Sequence, residues 1–213
     1  MTASDTPKQP VLGRPKSAAK RQQILRSAGE LLLSLGYSNT SMEAVAKHSG
    51  VSKQTVYSHF NNKEALFNAV IESKCKMYQV EEASVCIDTQ PLRAILSSMG
   101  LSLISLLKDD NVIAMYKVVI GESKQDSSVG QLFYEAGPLH SINMVSELLQ
   151  KHPQSQLSEA QAYEASIDFF NLLKSDYHMR GILHLPYELT QAQQQGLANK
   201  VARKTIALLA VLT

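Results

Sequence analysis

The stretch 40–67, TSMEAVAKHSGVSKQTVYSHFNNKEALF, decides the fold. It predicts two short helices, a tight turn and the opening of a third helix. Thr40 is placed to cap the first helix, its hydroxyl oxygen taking a free backbone N–H, with Glu43 where a capping box wants an acid. Met42, Val45 and Ala46 then share one apolar face at helical spacing. Gly50 tolerates the left-handed conformation by which a chain leaves a helix sharply. Ser52 is placed to cap the second helix, whose Val56 and Phe60 stand four apart and face inward together.

The outer face of that second helix carries Lys53, Gln54, Thr55, Tyr57, Ser58 and His59. All donate or accept hydrogen bonds and none is acidic, which suits a polyanion. The arrangement is that of a helix-turn-helix, whose second helix enters the major groove with its N-terminal residues at base edges. An ordinary helical hairpin with a solvated face is the competing reading.

Charge is partitioned along the chain. The net charge of +2 over 213 residues combines a basic head and an acidic remainder. Residues 1–63 carry nine Lys and Arg against three acids, and residues 64–213 carry twelve against sixteen. Such a chain presents one end to DNA. With 44% hydrophobic and 19% charged residues it reads as a soluble globular protein. No run reaches the eighteen or so apolar residues that a membrane span needs, and the N-terminus lacks the apolar core of a secretory signal. Cys75 and Cys86 make no disulfide framework and fit a reducing cytoplasm; a redox-sensing pair is the sharper alternative.

GRPK at 13–16 and GYSNTSMEAVAKHSGVSKQTVYSHFNNKEALF at 36–67 resemble the DNA-binding domain of the TetR (tetracycline-repressor-like) family of bacterial regulators. FYEAGP at 133–138 and NLLKSDYHMRGILHLP at 171–186 resemble the AefR-like C-terminal subgroup. Two departures are Ala65, where members often carry an acid, and Gly121, which puts the length of its helix in question. The resemblance implies a cytoplasmic, nucleoid-associated homodimer on a palindromic double-stranded operator. It implies a repressor released by a small-molecule inducer, with no cofactor and no metal. Carried over residue by residue, it places Lys53 and Gln54 on bases, and Thr55 and Tyr57 near base edges or phosphates. Thr40, Ser41, Ser52, His59 and Lys63 would hold phosphates. A ligand-independent DNA-binding dimer, acting through DNA organisation or a protein partner, is the alternative.

The expected architecture is all-α. Residues 1–16 form a basic arm in which Arg14 and Lys16 reach the minor groove or merely solubilise the chain. Residues 17–63 form a three-helix head, opened by an amphipathic helix that Gly36 stops. Residues 64–213 form a helical regulatory and dimerisation body. Lys63 begins a fourth helix reaching about residue 82, roughly 30 Å long, with Leu66, Phe67, Val70 and Ile71 toward one domain and Met77 and Tyr78 toward the other. Breaks fall at Pro91, 109–111, Gly130, Pro138, Pro153 and Pro186, with Gly137 and Pro138 interrupting a short helix. Ser158 with Gln161 and Thr190 with Gln193 make capping boxes for the last two long helices.

Residues 165–173 and 201–212 are apolar on nearly every side, which predicts cover from both directions and, with the resemblance, a dimer interface through those two helices. Phe170 is the test position there. Tyr78, Met99, Met115, Tyr116, Met144 and Met179 either line a soft ligand cavity or pack as plain core. No nucleophile elbow, phosphate-binding glycine loop, CxxC or HExxH occurs, and His178 and His184 are six apart, so enzymatic readings have no footing.

Overall fold

The computed structural model describes residues 17–78 and 87–212, and among them every regular element is helical. The basic arm, Cys86 and residues 79–82 of the expected fourth helix lie outside the described residues.

Helix α1, Ala18–Asn39, buries Ile24, Leu25, Ala28 and Leu32 along one face. Its path breaks at Gly36, where φ is 82°, a left-handed backbone that glycine adopts without penalty. Helices α2, Met42–Ser49, and α3, Lys53–His59, follow. Thr40 does not cap α2. Its hydroxyl donates to the Gly36 carbonyl at 2.7 Å, closing the last turn of α1, and Ser41 caps α2 by accepting from the Ala44 N–H at 3.1 Å. The preceding break decides this, because it turns Thr40 inward. Gly50, at φ 67°, ends α2 with its N–H on the Ala46 and Lys47 carbonyls. Val45, Val56, Phe60 and Leu66 then close a small core beneath α1.

Helix α4, Lys63–Lys76, is capped by Asn62, whose side chain accepts from Ala65 at 2.8 Å. Its 14 residues span about 21 Å at 1.5 Å each, shorter than the sequence suggests. The chain tightens after Lys76, with the Tyr78 N–H on the Cys75 carbonyl, and Met77 turns outward to 71% exposure. Leu66 and Ala69 of α4 pack in the small core, while Phe67, Ile71 and Cys75 pack in a larger one. Leu32 of α1 joins that larger core too, so the two share elements.

The larger core gathers α5 (Leu92–Leu107), α6 (Asp110–Ser123), α7 (Ser127–Tyr134), α8 (His140–Lys151), α9 (Glu159–Ile182) and α10 (Gln191–Leu212). Asp109 caps α6 through the Asn111 and Val112 N–H groups. α6 runs through Gly121 to Ser123 unbroken. Pro138 does not interrupt the chain between α7 and α8. A wide π turn, Glu135–Leu139, carries it across, because widening the turn accommodates the N–H that proline lacks. Both late capping boxes form, at Ser158 with Gln161 and at Thr190 with Gln193. α9 is kinked at Ser175, where φ is 48°.

The all-round apolar text of α9 and α10 is covered largely within the chain. Phe169, Phe170, Leu173, Val201 and Leu209 are buried against α5, α8 and each other. Phe170 is therefore core, and its replacement reports on folding. What stays outside is Tyr163 and Met179 on α9, with Leu208 and Val211 on α10.

Candidate nucleic-acid interface

Val56 and Phe60 are 0% and 4% exposed, and by plugging the small core they fix which way α3 faces. Lys53, Gln54, Tyr57 and Ser58 consequently stand on the outside. The first turn is preorganised by Ser52, whose hydroxyl oxygen accepts from the Thr55 N–H at 3.2 Å and lies 2.8 Å from Thr55 Oγ1. Lys53 Nζ is 3.4 Å from Glu43 Oε1, and both side chains are about half exposed or more. A surface pair of this kind contributes roughly 0–1 kcal/mol, so a phosphate can take the ammonium from it. Tyr57 is 45% exposed, whereas Thr55 and His59 are half-buried, with His59 beside Phe60. Ser41 stays exposed as the α2 cap.

Two predicted phosphate holders are placed differently from the rest. Thr40 is 3% exposed and its hydroxyl is spent on Gly36, so its side chain does not belong to the outer face. Lys63 is half-buried, donating to the Ser38 carbonyl at 3.2 Å with its ammonium 4.2 Å from the Tyr37 ring centre. Burial lowers its pKa and the nearby Glu122 carboxylate opposes that shift. Tyr37 in turn meets Phe67 edge to face at 5.0 Å. Lys63 thus steadies the corner between α1 and α2, in addition to carrying charge at the head's edge. Arg21, which the sequence reading passed over, lies over the Phe60 ring at 5.1 Å.

Behind this face, where α1 and α4 meet the body, lies a cavity of about 440 Å³. Its walls are Leu25 and Leu33 of α1, Val70, Ile71 and Cys75 of α4, Leu106 and Leu107 of α5, and Val112, Met115 and Tyr116 of α6, with Phe133 and Phe170 beyond. Arg26, Lys74 and Asn111 add polar groups. Of the six side chains read as either cavity lining or plain core, Met115 and Tyr116 line this one. Tyr78, Met99 and Met144 line a neighbouring hollow of about 630 Å³, and Met179 is 57% exposed. The contribution of α1 was hidden in the sequence, because a cavity-facing leucine has the same spacing as a core leucine.

Tyr116 is held edge-on between Phe133 and His178, each ring 4.9 Å away, and burial pushes its hydroxyl up to about 12. Burial likewise lowers the His178 pKa, and its Nδ1 sits 3.1 Å from the Leu107 carbonyl. Beside them Cys75 is buried, its thiol pushed up to about 11 by burial and then by Glu72. A thiol kept protonated is a poor redox sensor. Among the described residues no cluster of His, Cys, Asp and Glu could hold a metal ion, and no helix is long and apolar enough to cross a membrane.

Residues 24–70 match the sequence model for bacterial regulatory proteins of the tetR family, and residues 94–208 match that for the AefR-like transcriptional repressor C-terminal domain. The chain is 37% identical over 60 residues to the uncharacterised HTH-type transcriptional regulator YhgD of Bacillus subtilis, covering 28% of this chain and 31% of that protein. It is 38% identical over 53 residues to the HTH-type transcriptional activator FasR of Mycolicibacterium smegmatis, covering 25% of this chain and 24% of that one. These matches span a third or less of either relative. Among solved structures, the flavonoid-responsive regulator FrrA superposes with a TM-score of 0.66 at 25% identity, over 90% of this chain and 97% of that chain.

Proposed function

The chain belongs to the TetR family of bacterial helix-turn-helix transcriptional regulators, and from that membership we propose that it is a ligand-released repressor, bound as a homodimer to a palindromic operator. In this reading residues 17–63 are the reading head and residues 64–213 the regulatory and dimerisation body. Lys53 and Gln54 meet bases, Thr55 and Tyr57 lie at base edges or phosphates, and Ser41, Ser52, His59 and Lys63 serve phosphates. The matched C-terminal family is named for a repressor, which favours repression over the activation named for FasR.

The cavity carries the ligand half of the proposal. Its volume falls within the range of about 300–1,000 Å³ usual for small-molecule sites, and its walls come from both the head's α1 and the body's helices. A largely apolar molecule seated there touches the two parts whose relative position DNA binding depends on. The responsiveness of FrrA to flavonoids supports a small organic ligand, with Tyr116 and Phe133 available for aromatic stacking. A collapsed body would have favoured the ligand-independent reading.

Two recognition helices related by a two-fold axis read a palindrome with multiplied affinity. Tyr163 and Met179 on α9 and Leu208 and Val211 on α10 are exposed apolar positions available for that pairing. The test is a thermal-shift screen of small organic compounds, followed by operator binding with each hit. Compounds that stabilise the protein should weaken operator binding, and Met115→Trp, which fills the cavity, should abolish both effects while leaving DNA binding intact. Hits that bind the cavity and leave operator affinity unchanged would overturn the ligand-release reading.

A further inference from the structure

Helix α6 is tied to the rest of the molecule at both ends, and its two ties serve different partners. At its start, Asp109 Oδ1 accepts from the Asn111 and Val112 N–H groups, while Oδ2 accepts from Lys74 Nζ at 2.9 Å and the Tyr78 hydroxyl at 2.6 Å. That end is therefore fixed to the last turn of α4 and to the turn that follows it. At its finish, Glu122 Oε2 accepts from both the Ser38 N–H and the Ser38 hydroxyl, each at 2.9 Å. Ser38 sits in the corner by which α1 hands the chain to α2, eighty-four residues from Glu122 in sequence.

Two further features converge on that carboxylate. Gly36 holds its left-handed turn directly beneath it, and a β-carbon at position 36 would overlap the Glu122 side chain. Lys63, which feels the Glu122 charge, donates to the Ser38 carbonyl, so the corner is gripped from both sides. Between the two ties, Val112, Met115 and Tyr116 face the cavity, with Glu122 about 10 Å further along the helix.

We propose that Glu122 is the positioning residue that sets where the reading head stands on the body, and through it the half-site spacing the dimer accepts. Among the described residues the head also meets the body through apolar side chains such as Leu32 and Leu33. Apolar contact is non-directional and leaves room to slide. Paired hydrogen bonds to a carboxylate are directional and charge-assisted, and they fix the corner in one place. Glu122 bonds to the Ser38 corner, which lies outside α3, so reading of a single half-site does not depend on it. The inference rests on the dimeric operator-binding reading above.

The experiment uses the full chain and DNA duplexes selected by the protein from a random pool. Glu122→Ala, Glu122→Gln and Ser38→Ala are compared with the parent on the selected palindrome, on the same half-sites moved apart by two base pairs, and on one half-site alone. Deuterium exchange over residues 36–40 gives a readout that needs no DNA. Glu122→Ala should lose spacing discrimination by about tenfold, keep half-site affinity within about twofold, and expose the Ser38 amide to fast exchange. Glu122→Gln keeps an accepting oxygen and should retain most of both properties. If Glu122→Ala fails to fold, Ser38→Ala removes only the hydroxyl donor and should show the same pattern at smaller amplitude. Parental spacing discrimination together with parental exchange in these variants overturns the proposal. A parent that selects no DNA would instead sink the operator-binding reading, and the exchange arm would still decide whether Glu122 holds the corner.

Discussion

At the scale of single residues, the proposed interface divides into groups that read sequence and groups that supply attraction. Gln54 stands exposed on the first turn of α3, where a side-chain amide can make paired hydrogen bonds to a base edge. Gln54→Ala should weaken operator binding by about 1–3 kcal/mol and binding to random duplex far less. Lys63 steadies the Ser38 corner, and in the proposed reading it serves DNA by its charge. Lys63→Ala should weaken both DNAs alike and lower the salt slope by about one unit. Titration of each variant against both duplexes over a salt series checks the pair, and equal losses on both DNAs for Gln54→Ala would remove it as a base reader.

Asp109 gives a pH-dependent expectation at the same scale. Burial pushes its pKa up, but hydrogen bonds from Tyr78, Lys74 and Val112 outweigh it and hold the carboxyl below its ordinary value. A depressed carboxyl stabilises the fold fully above its unfolded pKa of about 3.9, and that stabilisation disappears as pH falls through the folded value. Asp109→Asn should therefore be less stable than the parent at pH 7, and the gap should close as pH is lowered below about 4. Urea unfolding at a series of pH values measures it; a gap that does not change with pH would show that the charge contributes nothing.

At the scale of elements, local chemistry was legible wherever it decides the outcome. Ser52, Ser158 and Thr190 cap the helices expected of them, because a hydroxyl beside free N–H groups needs no distant partner. Thr40 escaped that logic because the break at Gly36 turned its hydroxyl backward. Pro138 escaped it because a π turn satisfies neighbours that an α turn would not. The outward face of α3 was readable from Val56 and Phe60 alone. The cavity wall on α1 and the grip of Glu122 on Ser38 join residues remote in sequence, and no spacing rule reports such pairs. The Ser52 cap can be weighed directly. Ser52→Ala should destabilise the head by about 0.5–2 kcal/mol and fray α3, measured by thermal unfolding and by faster amide exchange at Thr55. Unchanged exchange there would mean that packing of Val56 suffices to hold the helix.

At the scale of the whole molecule, apolar residues either cover the chain itself or stay exposed, where the proposed dimer would use them. Phe169, Phe170 and Leu173 are consumed internally, which leaves Leu208 at 41% and Val211 at 84% exposure on the last helix. Charged replacements at Leu208 and Val211 should yield a folded monomer by sedimentation, with half-site binding retained and palindrome affinity lost; a variant that remains dimeric would move the interface elsewhere.

The measurement that tests the central claim most directly is selection of duplexes from a random pool by the purified full chain, with the stoichiometry of the selected complex measured by sedimentation. The predicted result is one enriched palindrome bound by an even number of chains, with enrichment reduced by Gln54→Ala in a protein that remains folded. Binding without enrichment of any sequence, or a selected site occupied by one chain, would contradict it.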